Sequence, residues 1–206
     1  LFGTDGRFKR LPLDDMQELS GRAATIVKLK EGVSLLSAVI CEDGGTVALI
    51  SDIGRVLCLP VEEHCLPVMG KLAQGPMAMR MLPGETLVGA VSHPPDPTGA
   101  GNSGNILVGT ENGLLRRVSL KSLRRCKRGD LGEIALELNG NGKDLDPVIT
   151  VCATTDLVGV ITNKTRHARI LSDSISVDID QPTKLSLKTE ERLIQLVPLI
   201  TQEAIS

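Results

Sequence analysis

ALISDIGRVLCLPV, residues 48–61, decides the reading of this chain. An apolar run, a turn at Gly54 and a second apolar run make a β-hairpin. The same cadence occurs three more times, as LFGTDGRFKRLPL (1–13), ILVGTENGLLRRVSL (106–120) and VGVITNKTRHARIL (158–171). The turn position falls on Gly6, Gly54, Gly113 and Thr165, at spacings of 48, 59 and 52 residues. Four residues beyond it lie Arg10, Cys58, Arg117 and Arg169, and five beyond lie Leu11, Leu59, Val118 and Ile170. The long spacing is explained by SHPPDPTGAGNSG (92–104), whose composition reads as a flexible inserted loop. Asp5-Gly6 and Asn112-Gly113 are strong hairpin turns, because the favoured turn needs positive φ at both central residues.

Two further segments follow each hairpin. ATIVKLK (24–30), PMAMRML (76–82), EIALEL (133–138) and KLSLK (184–188) alternate with period two, which predicts half-buried strands. SLLSAVIC (34–41), ETLVGAVS (85–92), DPVITVCAT (146–154) and RLIQLVPLI (192–200) are more continuously apolar, which predicts strands buried on both faces. The chain is therefore expected to be one domain, 1–206, of four repeats with approximate bounds 1–45, 46–104, 105–156 and 157–206. Each repeat supplies roughly four strands and must bury its sheet faces against its neighbours, so the fold class is an all-β, propeller-like array. Helix is limited to at most a turn within 120–128.

Phe2 and Phe8 are the only aromatic residues; there is no Trp and no Tyr. Single-stranded nucleic acid gripped by base stacking is disfavoured, and chemistry that needs a tyrosine is excluded. Cys41, Cys58, Cys65, Cys126 and Cys152 include no CxxC pair and read as buried or idle thiols of a reducing compartment. His64-Cys65 with Cys58 offers one short adjacency where structural zinc needs four ligands, so no metal is expected. His93 in the inserted loop and His167 on a strand have no Ser or Cys partner in a recognisable motif. GAGNSG (99–104) leads into a strand rather than a helix and lacks GK[ST], so it is not a phosphate loop. The acid pairs Asp14-Asp15, Glu62-Glu63 and Glu190-Glu191 read as solvated turns. No catalytic residue and no cofactor are assigned. No apolar run approaches the ~20 residues that span a bilayer. The mixed, charged opening residues do not read as a signal peptide, and a start on Leu1 reads as a piece of a longer chain.

Net charge is −2, but its distribution is uneven. RRVSLKSLRRCKR (116–128) holds seven basic residues and no acid: Arg116, Arg117, Lys121, Arg124, Arg125, Lys127 and Arg128. The rest of the chain carries 16 basic against 25 acidic residues. A smaller cluster in 1–30 comprises Arg7, Lys9, Arg10, Arg22, Lys28 and Lys30. Such polarisation marks a candidate electrostatic footprint for nucleic acid.

The repeated cadence, (S/T)-x-x-G-(R/L)-hydrophobic-x-R-(L/V)-(P/S)-L and then a Gly- and Lys/Arg-bearing loop before a strand such as IVKLK or EIALEL, resembles the C-terminal repeats of the A subunits of bacterial DNA gyrase and topoisomerase IV. The resemblance covers essentially all of 1–200. It implies a β-pinwheel, a propeller-like disc of about four four-stranded blades that exchange strands and bend duplex DNA on a basic rim. The family's signature loop, Q-R-R-G-G-K-G, has its closest match in Cys126-Lys127-Arg128-Gly129-Asp130-Leu131-Gly132, with weaker counterparts at Gly21-Arg22 and at 71–75. This degenerate box keeps two basic residues and two glycines but lacks the Gln, the middle Gly and the Lys, which argues against strong chiral wrapping. The resemblance further implies a cytoplasmic, nucleoid-associated part of an ATP-dependent type II topoisomerase. Its partners would be double-stranded DNA, an upstream cleavage domain of the same polypeptide and the B-type ATPase subunit, with no membrane. The expected contacts are the seven residues of 116–128 with Arg7, Lys9, Arg10, Arg22 and Lys28, which must face solvent unpaired. The alternative for the same fold is a protein-interaction propeller that does not bind nucleic acid.

Overall fold

Wherever the repeated cadence is described, it folds as an antiparallel hairpin. The computed structural model describes residues 1–17, 25–70, 73–98, 101–138, 145–164 and 167–199. In chain order the elements begin with β1 (Phe2–Gly3), a one-turn α1 (Asp14–Gln17), β2 (Leu35–Ser37), β3 (Thr46–Ser51), β4 (Arg55–Pro60) and β5 (Leu87–His93). They continue with β6 (Asn105–Thr110), β7 (Leu114–Ser119), β8 (Glu133–Ile134), β9 (Val148–Ala153), β10 (Leu157–Thr162), β11 (His167–Leu171), β12 (Thr183–Lys184) and β13 (Leu193–Leu199). The strands form four sheets, ordered β1-β2, β5-β3-β4-β8, β12-β7-β6-β9 and β11-β10-β13. No helix among the described residues is long and apolar enough to cross a membrane.

The outer strand of a sheet comes from later in the chain than its hairpin. β8 lies beyond β7 in sequence yet pairs with β4, through Arg55↔Ile134 and Val56↔Glu133. β12 pairs in the same way with β7, through Thr183↔Leu115 and Lys184↔Leu114. Met77 bridges to Arg7 in the first sheet. The turn glycines hold these visiting segments: the carbonyls of Gly6, Gly54 and Gly113 accept from the amides of Ala78 (2.8 Å), Ala135 (2.8 Å) and Leu185 (2.9 Å). At Gly54, φ is +81° and a Cβ would lie 2.3 Å from the Leu136 carbonyl oxygen, so only glycine can both turn the hairpin and receive its guest.

Neighbouring sheets pack face to face, and the alternation of side chains divides each central hairpin between two cores. Val47 and Leu49 of β3, with Leu57 and Leu59 of β4, join Phe2, Phe8 and Met79. Ala48 and Ile50, with Val56 and Cys58, face the other way onto Ile106, Val108 and Val118. Leu107 and Leu115 then meet Val158, Val160 and Leu193 of the last sheet.

This stacking reverses one sequence expectation. The hairpin strands β3 and β4 are buried on both faces along their whole length. The continuously apolar segments instead alternate, as β5 and β9 do, because they lie at the sheet edge opposite the visiting strand. The period-two segments are also less regular than predicted. EIALEL and KLSLK supply two-residue strands, PMAMRML supplies one bridge at Met77, and residues 25–30 form no strand. The sheets accordingly hold two to four strands rather than four throughout. Within 120–128 the helical turn is a 3₁₀ turn, Leu120–Ser122.

Three polar expectations change as well. Glu191, assigned to a solvated turn, is 1% exposed and accepts from Thr162 Oγ1 at 2.7 Å. Asp146 makes the corresponding buried bond with Thr110, so each pair satisfies a carboxylate that an apolar sheet would otherwise strand. The inserted loop is pinned at its end: buried Asn102 donates to the carbonyls of Leu120 (3.2 Å) and Leu123 (2.9 Å). His93 is the last residue of β5 rather than part of the loop.

All five cysteines are free thiols, with Cys41 partly exposed and the other four buried. Burial pushes Cys58 and Cys152 up to about 12, which suppresses the reactive thiolate. A thiol reagent at mildly alkaline pH is therefore expected to label Cys41 first in the folded protein. The other four should react only after denaturation, and labelling of any of them at the Cys41 rate would contradict this packing.

Candidate nucleic-acid interface

The degenerate box is a tightly fastened loop. It leaves the sheet at a parallel bridge between Cys58 and Arg125, and the Cys126 amide donates to Cys58 O at 2.9 Å. Inside the loop, the Lys127 amide donates to Asp130 Oδ2 (2.9 Å) and the Asp130 amide to Lys127 O (3.1 Å). Gly129 has φ +85° and donates to Ala78 O at 2.8 Å; Arg80 donates its amide to Asp130 O at 3.0 Å. Gly132 closes the loop over Val56, where a Cβ would stand 2.4 Å from the carbonyl oxygen.

Arg55 ties these pieces together from below. Its Nε donates to Glu85 Oε1 (2.9 Å) and its Nη2 to Arg80 O (2.9 Å), with further bonds to Glu85 Oε2 and Leu131 O. The ion pair is buried, with side-chain exposures of 6% and 1%. Burial pushes the Glu85 carboxyl up, but the bonds from Arg55, the Leu82 amide and Ser51 outweigh it and hold the pKa below the ordinary 4.5.

Most of the expected cationic residues are engaged. Arg117 pairs with Asp173, Lys121 with Asp96 (3.3 Å), Arg124 with Glu133 (3.4 Å) and Asp130 (3.9 Å), and Arg125 with Glu62 (3.1 Å). Arg116 is half-buried and donates to Val177 O (3.2 Å) and Ala135 O; burial lowers its pKa while Asp178 and Asp180 raise it. In the first cluster Arg7 pairs with Asp5 (3.4 Å), and Arg10 with Asp43 and Glu63 (3.9 Å). Lys9 is 1% exposed, so it does not present its ammonium on the surface as expected. Lys28 is exposed, and Arg22 with Gly21 lies outside the described residues, as do Thr165 and Lys71.

The requirement for unpaired cations is therefore not met across 116–128. Glu62, Asp96 and Asp173 are distant in sequence and are brought to this run by the fold, whereas Asp130 and Glu133 follow it closely in the chain. Surface ion pairs of this kind contribute about 0–1 kcal/mol, so they hold the side chains only weakly. Lys127 and Arg128 differ: both are exposed, and no described acid lies within ion-pair distance of either. Arg80, absent from the expected contacts, is likewise exposed with no ion pair among the described residues, and it stands beside them because its backbone is bonded to the same loop. Its sequence signal is a charged residue at a polar position of PMAMRML. Among the described residues no group of His, Cys, Asp and Glu is placed to hold a metal ion.

Comparison with known proteins agrees with the strand-exchanged architecture. The DNA gyrase A subunit of Pseudomonas aeruginosa is 26% identical over 194 residues, which is 93% of this chain and 20% of that protein. The DNA topoisomerase 4 A subunit of a Synechocystis species is 26% identical over 162 residues, covering 74% of this chain and 16% of that protein. The chain thus spans about a fifth or less of the length of these relatives. Among solved structures, a DNA gyrase A C-terminal domain superposes with TM-score 0.79 at 18% identity, covering 97% of this chain and 64% of the other. The C-terminal domain of a DNA topoisomerase IV gives 0.78 at 17% identity, covering 95% and 59%. Residues 1–42, 46–94 and 104–143, more than half of the chain, match the family described as DNA gyrase C-terminal domain, beta-propeller, and the chain belongs to that family.

Proposed function

We propose that this chain is a non-catalytic domain that binds and bends duplex DNA in the A subunit of an ATP-dependent type II topoisomerase. It presents a DNA segment for strand passage. Its partners in that reading are double-stranded DNA, the cleavage domain upstream in the same polypeptide and the B-type ATPase subunit, in a cytoplasmic, nucleoid-associated enzyme. The observation that carries the reading is the fastened loop 126–132, which holds Lys127 and Arg128 in solvent beside Arg80 with no described acid paired to them.

Cations on a rigid loop neutralise phosphates and release condensed counterions, so affinity depends on salt rather than on base sequence. Bending a short duplex costs on the order of 1–6 kcal/mol, which several phosphate contacts together can offset. Lys127→Glu with Arg128→Glu is expected to weaken binding of a linear duplex at least tenfold. The variant should also lower the salt slope by about 2, near 0.9 for each lost phosphate contact. Arg125→Ala, which removes a residue already shared with Glu62, should weaken binding much less. Equal binding by the double variant and the parent would refute the assigned surface.

The protein-interaction alternative is favoured by one feature, a cavity of about 480 Å³ lined by Leu11, Leu13, Val39, Ile40, Leu66 and Val68. Absence of duplex retardation at low salt would favour it.

A further inference from the structure

We propose that the DNA track along the rim ends at the third sheet, because the loop equivalent to 126–132 there carries the opposite charge. This inference rests on the duplex-binding reading and specifies how far the contact extends.

The equivalence is geometric. Arg10, Cys58 and Arg117 each lie four residues beyond a turn glycine and each receives the start of a loop. Arg10 bridges Val68, Cys58 bridges Arg125, and the Arg117 amide donates to Ser176 O at 2.9 Å. The loops close two residues beyond the turn glycine: Gly75 stands over Phe8, Gly132 over Val56, and Thr183 pairs with Leu115. Residues 176–183 therefore occupy at the third sheet the place that 125–132 occupy at the second.

The accompanying segments correspond as well. Ala78 and Ala135 both donate their amides to a turn-glycine carbonyl, so Glu137 holds the position of Arg80. Where the loop at the second sheet exposes Lys127 and Arg128, with Arg80 on the segment docked one sheet before, the loop at the third exposes Asp178 and Asp180, with Glu137 on the segment docked one sheet before. Local counter-charges do not change the sign. Asp130 is bonded to the Lys127 amide and lies near Arg124. Two cations stand by the acids of the third loop: Arg116, whose guanidinium is spent on Val177 O and Ala135 O, and exposed Lys184 just after Thr183, a single free charge against Glu137, Asp178 and Asp180. At the first sheet the matching segment exposes Lys28 and Lys30.

The rim is thus basic at the first two positions and acidic at the third. A phosphate backbone following it gains counterion release at the first two and meets like-charge repulsion at the third. A duplex held by Arg80, Lys127 and Arg128 leaves the surface there, which limits both its bend and its footprint.

Glu137→Lys, Asp178→Lys and Asp180→Lys combined in the 206-residue chain test this by adding contacts rather than removing them. All three side chains are exposed, so the fold should tolerate the change. The expected result is a hydroxyl-radical footprint that extends beyond the parent's, a larger bend by fluorescence transfer, and a salt slope steeper by about 2–3. A neutral variant, E137Q/D178N/D180N, should give a smaller extension and serves if the lysine variant misfolds. A folded lysine variant with the parent's footprint and slope would overturn the inference while leaving the duplex-binding reading standing. A parent that retains no duplex at low salt would overturn the duplex-binding reading itself.

Discussion

Replacing Arg55 with alanine is expected to remove about 3–5 kcal/mol of stability, the range for breaking a buried pair from one side. The substitution leaves the Glu85 carboxylate in a site where its side chain is 1% exposed, and frees the carbonyls of Arg80 and Leu131 that Arg55 holds. Urea unfolding near neutral pH measures the loss. Arg55→Met combined with Glu85→Leu should recover the part due to the stranded charge, while the Arg80 and Leu131 carbonyls and the Leu82 amide stay without these partners.

The pH dependence follows in sign. Glu85 has a folded pKa below its ordinary value, so its contribution is present above about pH 4.5 and lost as pH falls through the folded value. Without Arg55 the carboxyl takes up its proton more readily. The deficit of the alanine variant should therefore shrink on acidification. A loss under about 1 kcal/mol near neutrality would show that the pair is not the fastening described. Because Arg55 also secures Leu131 and Arg80, the same variant should lose duplex affinity without losing a single exposed cation.

The second large effect is expected at Gly54. Gly54→Ala forces an L side chain into a left-handed backbone and drives its Cβ to 2.3 Å from the Leu136 carbonyl. The combined cost is on the order of 2–4 kcal/mol. Gly84 provides the control, because its φ is also +81° but nothing lies within 4 Å of its Cβ position. Gly84→Ala should cost only the backbone part, about 1–2 kcal/mol. Comparing the two unfolding curves separates turn geometry from docking of the visiting segment. Equal losses would mean that the segment 133–138 is not held by this turn.

Several features were legible in the sequence for definite reasons. A hairpin is local, so an apolar run, a turn glycine and a second run suffice to specify it, and four copies specify an array of sheets. The lack of tyrosine and of ligand-spaced cysteines is read just as locally, and it excludes only chemistry that needs those residues. The edge strands were less legible, because a two-residue strand such as Glu133–Ile134 exists only where a neighbouring hairpin offers its edge. Burial was misassigned for a related reason: apolar continuity in 85–92 reports composition, whereas two-sided burial of β3 and β4 depends on sheets stacked from both sides.

Charge shows the division most clearly. Seven basic residues in 116–128 could be counted from the chain, and so could the absence of acids among them. Coulomb interactions act through space, however, and folding returned Glu62, Asp96 and Asp173 to that run from segments far away. The same folding placed Arg80 beside Lys127 and Arg128 by two backbone hydrogen bonds across the loop. Composition and periodicity determined that repeated sheets would form. Only their stacking, by setting which charges meet, decided which of the described cations remain without an acid.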